Sequence, residues 1–283
     1  MTFGGIITAM VTPFDGDGHV NEEAFVGLLH HLLEHGSDGV VVAGTTGEGA
    51  TLTDEEKLRL FELAVAEAGD ATVIAGTGSN DTAHSIELTE KAAELGVDGA
   101  LVVTPYYNKP NRRGIVAHFS AVANAAPDLP IVVYNIPGRC VVDIPNDLLA
   151  ELAQIDNIAA CKQARFEDIA AIEGMDLLAG NDNTLAEVLD AGGTGGICVA
   201  SHIVGDEMRR TVDEPDARHD IDESLADVYA ATTVTVNPIP IKTAVRMLGH
   251  DVGGFRLPMV EASQEEAEEI RAVLERHGLL SAV

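Results

Sequence analysis

The stretch "HGSDGVVVAGTTGE", residues 35–48, carries four signals in order. Gly36 is a helix-ending glycine, and Asp38 and Gly39 form an Asp-Gly turn. Residues 40–42 are all valine, a β-branched run suited to a strand buried on both faces. A loop of small and hydroxyl residues follows. "LGVDGALVVTPYYN", residues 95–108, repeats this order. A unit of helix, turn, buried strand and loop is the building block of a parallel sheet.

Outward from these two stretches the same kind of run recurs. "GGIITAMVT", "ATVIAGT", "PIVVYNI", "NIAACK", "DLLAG" and "GGICVAS" complete a set of eight. Each is bounded by Gly, Pro, Asn or Asp. Helical patterns fill the gaps. "NEEAFVGLLHHLLEHG" opens on an Asn cap and stops at Gly36, and Thr53 and Glu56 have capping-box spacing. Eight strand–helix units predict a (β/α)8 TIM barrel over residues 1–220. From 221 to 283 the strand signal is gone and only helical patterns remain, so a C-terminal helical extension is expected. A doubly wound open sheet is the alternative, but no G-x-G-x-x-G follows the first strand.

Composition narrows the function. The chain has 46 acidic against 17 basic residues, a net charge of −29. Nucleic acid and anionic membranes would repel it. No apolar run reaches spanning length and the N-terminus lacks a charged leader, so a soluble cytoplasmic protein is expected. Cys140, Cys161 and Cys198 are an odd set without metal-type spacing. His31 and His35 stand at i, i+4, and this pair reads as a solvated helix face. No metal is expected.

In a barrel the chemistry gathers where strands end. Those ends hold "GTTGE" (44–48), "TPYYNKP" (104–110), "YNIPGR" (134–139), Lys162, "AGNDN" (179–183) and "GGTGGICV" (192–199). Lys162 draws attention because the chain has only five lysines, and this one ends an apolar strand. A lysine there loses hydration, its pKa falls, and the neutral amine can attack a carbonyl to form a Schiff base. The competing reading is a lysine that snorkels to solvent.

These motifs, followed by "NPIPIK" (237–242) and "FRLPMV" (255–260), resemble the dihydrodipicolinate synthase family of pyruvate-dependent aldolases, which also includes N-acetylneuraminate lyase. The resemblance spans nearly the whole chain. It implies that Lys162 forms an imine with pyruvate and that no cofactor is needed. It implies a proton relay of Tyr134, Thr45 and Tyr107, with Tyr107 reaching into a neighbouring subunit's site. Thr46 and Gly47 would bind the pyruvate carboxylate, Arg139 would clamp the second substrate, and Gly180 and Ile197 would line the pocket. Asn183 and Asp182 read as loop residues.

The implied reaction condenses pyruvate with L-aspartate 4-semialdehyde in lysine and diaminopimelate biosynthesis. The implied assembly is a homo-oligomer, a dimer of dimers. An allosteric lysine pocket would use Asn80, His84 and Tyr106. Lysine-inhibited members carry a carboxylate where this chain has His84, so weak inhibition is expected. Gln163, after the lysine, and Cys140, after Arg139, depart from the usual pattern. Two other readings compete: a 2-keto-3-deoxy sugar acid or sialate aldolase, which generally lacks the arginine, and a catalytically silent barrel that serves as a binding module.

Overall fold

The computed structural model describes residues 3–280. Eight parallel strands close into a barrel in sequence order. They are β1 (Gly5–Ala9), β2 (Gly39–Val42), β3 (Thr72–Gly76), β4 (Gly99–Val103), β5 (Ile131–Asn135), β6 (Ile158–Gln163), β7 (Asp176–Ala179) and β8 (Gly195–Cys198). β8 pairs back onto β1 and leaves no open edge. The expected barrel is the observed one, and the open sheet is excluded.

The repeated Asp-Gly turn has a physical reason. Asp38 accepts a hydrogen bond from the Ile6 N–H at 2.8 Å, and Asp98 accepts one from the Val73 N–H at 2.8 Å. Each aspartate thus satisfies a backbone donor near the start of the preceding strand, β1 or β3. The glycines are close approaches. A Cβ on Gly39 would sit 2.3 Å from the Thr72 carbonyl oxygen, and one on Gly99 would sit 2.7 Å from the Phe3 ring.

Helices α1 (Glu22–Glu34), α2 (Asp54–Glu67), α3 (Thr82–Glu94) and α4 (Arg112–Ala125) follow the first four strands' register. Asn21 caps α1 by accepting from the Ala24 N–H, and the Thr53–Glu56 capping box closes both ways. Each such cap contributes about 1 kcal/mol. A short α5 (Pro137–Cys140) and α6 (Asn146–Leu152) lie between β5 and β6. After β7 come α7 (Leu185–Asp190), then α8 (Ser201–Asp213) beyond β8. The C-terminal part holds α9 (Arg218–Ser224), α10 (Ala226–Ala231), α11 (Ile239–Met247) and α12 (Gln264–Arg276). No helix among the described residues is long and apolar enough to cross a membrane.

Two cores follow from strand alternation. One lies between barrel and helices. The other fills the barrel and takes one side chain from each strand: Ile7, Val41, Ile74, Leu101, Val132, Ala160, Leu178 and Ile197. Burying each large aliphatic side chain contributes roughly 1.5–3 kcal/mol. This inner layer sets the direction of what lies above it. Tyr134 is two residues beyond Val132, and Lys162 is two beyond Ala160, so both point into the barrel mouth.

Candidate active site

Lys162 and Tyr134 are register partners on β6 and β5. The Lys162 Nζ lies 4.4 Å from the centre of the Tyr134 ring. Lys162 is 5% exposed, and no carboxylate stands within 4.0 Å of its amine among the described residues. Burial lowers its pKa to about 8; Cys198 and Asp182 act to raise it, and Arg139 acts to lower it. Burial likewise pushes the Tyr134 phenol well above its ordinary value, against smaller opposing contributions from Arg139 and Thr45. The phenol therefore stays protonated and can donate.

A cavity of about 580 Å³ has Tyr134 in its wall. Its walls include Thr45, Tyr134 and Arg139, and also Asn80, His84 and Tyr106. The residues assigned to catalysis and those assigned to an effector thus face one continuous space. Lys162, Thr46, Gly47, Gly180 and Ile197 do not line it directly. Ile197 belongs to the barrel's inner layer, and Gly180 packs so closely on β6 that a Cβ would lie 2.8 Å from the Ala164 backbone nitrogen. Tyr107 stands apart from the cavity at 88% exposure, with φ at +68°.

The 44–47 turn is tightly built. Ala43 and Glu48, at its flanks, both have left-handed φ values, +53° and +54°. The Ala43 carbonyl leaves no room for a Cβ on Gly49 or Gly76, which would come within 2.1 Å and 2.6 Å of it. Thr12 donates to the Gly47 carbonyl at 2.6 Å, and the Glu48 N–H donates to the Thr45 carbonyl at 3.1 Å. The N–H groups of Thr45, Thr46 and Gly47 donate to no backbone oxygen among the described residues. Successive free N–H groups of this kind form an anion-binding concavity.

Arg139 sits in α5, after Pro137, at the mouth. It donates to the Asn237 carbonyl at 3.1 Å and has no carboxylate partner within 4.0 Å among the described residues. In so acidic a chain, Arg59, Arg112 and Arg165 all have such partners. A surface ion pair therefore does not account for Arg139, and its fork remains free for an anionic ligand.

Sequence reasoning missed three contributors. Asn237 donates to the Thr46 hydroxyl at 3.0 Å while its backbone carbonyl accepts from Arg139, so one residue links the 44–47 turn to Arg139. Asp182 is more than a loop residue. Its carboxylate accepts the Val199 and Ala200 N–H groups at 2.7 and 3.0 Å and contributes to the electrostatics around Lys162. Lys242 is fully buried and donates to Glu48 at 2.8 Å. Lys242 did carry a signal, because it is another of the few lysines and lies in the apolar run "IPIKTAV".

The two departures have local explanations. The Gln163 amide oxygen accepts from Asn135 at 2.9 Å and from the Arg165 N–H at 3.2 Å, so a neutral acceptor supports the loop. Cys140 lines the cavity, and burial pushes its thiol up to about 11. All three cysteines are free and buried. His31 stacks with His35 and His250 at ring separations of 4.2 and 4.3 Å, so it packs against neighbours and is not a simple solvated face. Among the described residues no cluster of three or more His, Cys, Asp or Glu is arranged to hold a metal.

Comparison with known proteins gives one answer. The model of the dihydrodipicolinate synthetase family matches residues 2–277. A 4-hydroxy-tetrahydrodipicolinate synthase from a Cyanothece species is 43% identical, covering 98% of this chain and 99% of its own. One from Heliobacterium modesticaldum is 45% identical, covering 99% of this chain and 97% of its own. The crystal structure of DHDPS from Cyanidioschyzon merolae with lysine bound superposes with a TM-score of 0.95 at 42% identity, covering 98% of this chain and 99% of that one. A buried unpaired lysine at a strand end, a free-N–H turn and a free arginine above them fit that match, and the chain belongs to the dihydrodipicolinate synthetase family.

Proposed function

We infer that this chain is a 4-hydroxy-tetrahydrodipicolinate synthase, which condenses pyruvate with L-aspartate 4-semialdehyde through a lysine Schiff base. The observation that carries the chemistry is Lys162, buried without a counter-ion in the barrel mouth with its pKa lowered to about 8. The neutral amine attacks pyruvate C2, and the carbonyl oxygen leaves as water. The iminium draws electrons from C3, which loses a proton and becomes an enamine. C3 then bonds to the aldehyde carbon of the second substrate, whose oxygen takes up a proton. Attack of that substrate's amino group on C2 releases the Lys162 amine and closes the ring. Tyr134 and Thr45, with Tyr107 of a partner subunit, carry the protons. Thr46 and Gly47 hold the pyruvate carboxylate. No cofactor enters these steps. The working form is a cytoplasmic homo-oligomer, and the helices from 221 onward serve the barrel as an extension.

Arg139 decides between this reading and a sugar-acid aldolase. A charge-assisted contact to the semialdehyde carboxylate contributes about 1.5–3 kcal/mol. Arg139→Ala is therefore expected to raise the semialdehyde KM by about 10- to 100-fold while pyruvate trapping by borohydride stays near wild type. Steady-state kinetics on a panel of aldehydes, with and without Arg139, checks this. Preference for a neutral sugar aldehyde, or equal loss toward both substrates, overturns it.

Inhibition by L-lysine is expected to be weak. At the cavity's outer wall His84 meets Asp54 at 2.8 Å, and Lys57 meets the same carboxylate at 3.3 Å. Burial acts to raise the Asp54 pKa, but the hydrogen bonds from His84 and Lys57 outweigh it and hold the carboxyl below its usual range. The carboxylate that could receive an incoming ammonium is already engaged. Loss of one such ion pair weakens binding by roughly one to two decades. A rate titration at fixed sub-saturating pyruvate tests this, and half-inhibition at submillimolar lysine contradicts it.

A further inference from the structure

Glu48 is an unusual residue to bury at an active-site rim. It is 4% exposed, it lines the cavity, and its backbone holds a left-handed φ of +54°. Both carboxylate oxygens are fixed from the C-terminal segment, one from α11 and one from the loop between α11 and α12. Oε1 accepts from the Lys242 Nζ at 2.8 Å, and Oε2 accepts from the Arg256 N–H at 3.1 Å. Lys242 is itself fully buried, with its ammonium 4.2 Å from the centre of the Phe14 ring and 5.1 Å from that of Phe255. Glu48 is anchored locally as well. Its N–H closes onto the Thr45 carbonyl, and its own carbonyl accepts from the Thr51 N–H at 2.9 Å and the Thr51 hydroxyl at 3.0 Å. The only residues between Glu48 and Ala43, the other left-handed residue, are the four of the 44–47 turn. A conformation this sparsely populated persists only where its surroundings dictate it.

A buried ion pair is poor evidence for added stability, since desolvation offsets much of the attraction. Its value lies in fixing geometry, and here what it fixes is the turn with three free N–H groups. We propose that Glu48, clamped by Lys242 and the Arg256 backbone, is a positioning residue that holds the 44–47 turn in the shape that receives the pyruvate carboxylate. The inference rests on the function proposed above. With both carboxylate oxygens already engaged, Glu48 needs no contact with pyruvate. It acts through Thr45, Thr46 and Gly47, so the C-terminal segment, through α11 and the loop after it, sets the affinity for the first substrate from behind the site.

The test uses the full-length protein and two variants. Glu48→Gln keeps the volume but presents an amide N–H to one of its two donors. Glu48→Gln/Lys242→Met removes both charges together, so neither is left buried alone. The readout is the pyruvate concentration that half-saturates borohydride trapping, together with the two KM values and the melting temperature. Each variant is expected to raise the pyruvate half-saturation at least about 5-fold and leave the semialdehyde KM within about 2-fold. Glu56→Gln loosens the Arg256 side chain, which pairs with Glu56 at 2.6 Å, without touching Glu48, and is expected to leave pyruvate half-saturation unchanged. Wild-type half-saturation in a folded variant overturns the inference. So does a parallel rise in both KM values, or an equal effect of Glu56→Gln, because a mere strut would give either. Failure of the wild-type protein to trap pyruvate overturns the proposed function itself, which keeps the two failures distinct.

Discussion

Borohydride reduction in the presence of pyruvate is expected to add one pyruvate-derived mass to the peptide containing Lys162, and Lys162→Ala is expected to abolish both that adduct and turnover. The loss in kcat/KM should be at least about 10⁴-fold, on the scale of removing a covalent nucleophile. The reason is the protonation state of the amine. With a pKa of about 8 in place of 10.5, the neutral fraction at pH 7 rises roughly 300-fold. The direction of the pH dependence follows. Below about pH 8 the amine is mostly charged and trapping slows about tenfold per pH unit; above it the rate levels off. An unburied lysine would keep rising toward pH 10. The same burial explains why the variant should fold, since an unpaired buried ammonium opposes folding and its loss relieves that cost. Retained trapping in Lys162→Ala, measured by intact mass, or a trapping rate still climbing tenfold per unit at pH 9, contradicts the assignment.

Much of this site was legible because its signals are local. Strand ends are marked within a few residues by β-branched runs and turn residues, and a lysine closing such a run has few explanations. The alternation that aims Lys162 and Tyr134 into the barrel follows from strand geometry alone. What the sequence hides is pairing across distance. Glu48 meets Lys242 across 194 positions and Thr46 meets Asn237 across 191. No local periodicity encodes such contacts; the closure of the barrel and the return of the C-terminal helices create them. Asp182 was misread for a related reason. In sequence it follows an Asn in a loop, and only the neighbouring end of β8 gives its carboxylate the two N–H donors it accepts. The expected helical extension from 221 onward gave no sign of its contacts with the barrel mouth. Lys242, Asn237 and Arg256 all reach the barrel's catalytic end, so residues beyond 220 take part in shaping the site.

Tyr107 yields the second large effect. In the single chain it is a bulky aromatic at 88% exposure with a left-handed backbone, displayed on the 104–110 loop away from the cavity that its neighbour Tyr106 helps to line. A left-handed backbone at a bulky residue is an outlier that points to a functional constraint on this loop. If a second copy meets this loop, a two-fold contact lets each subunit give its Tyr107 to the other's site. Tyr107→Phe removes the hydroxyl proposed to carry protons and should lower kcat about 10²- to 10⁴-fold. Lys162→Ala is expected to be inactive for a separate reason. Mixed in equal amounts under conditions that exchange subunits, the two should regain about a quarter of wild-type activity. Half of the pairs are then hybrid, and one site of each hybrid pair holds both an intact Lys162 and its partner's intact Tyr107. Native mass spectrometry reports the hybrid fraction, and activity should track it. If hybrids form and activity stays at the level of the parent variants, Tyr107 serves its own subunit or no site at all, because an own-subunit relay leaves every site in a hybrid pair lacking one of the two groups.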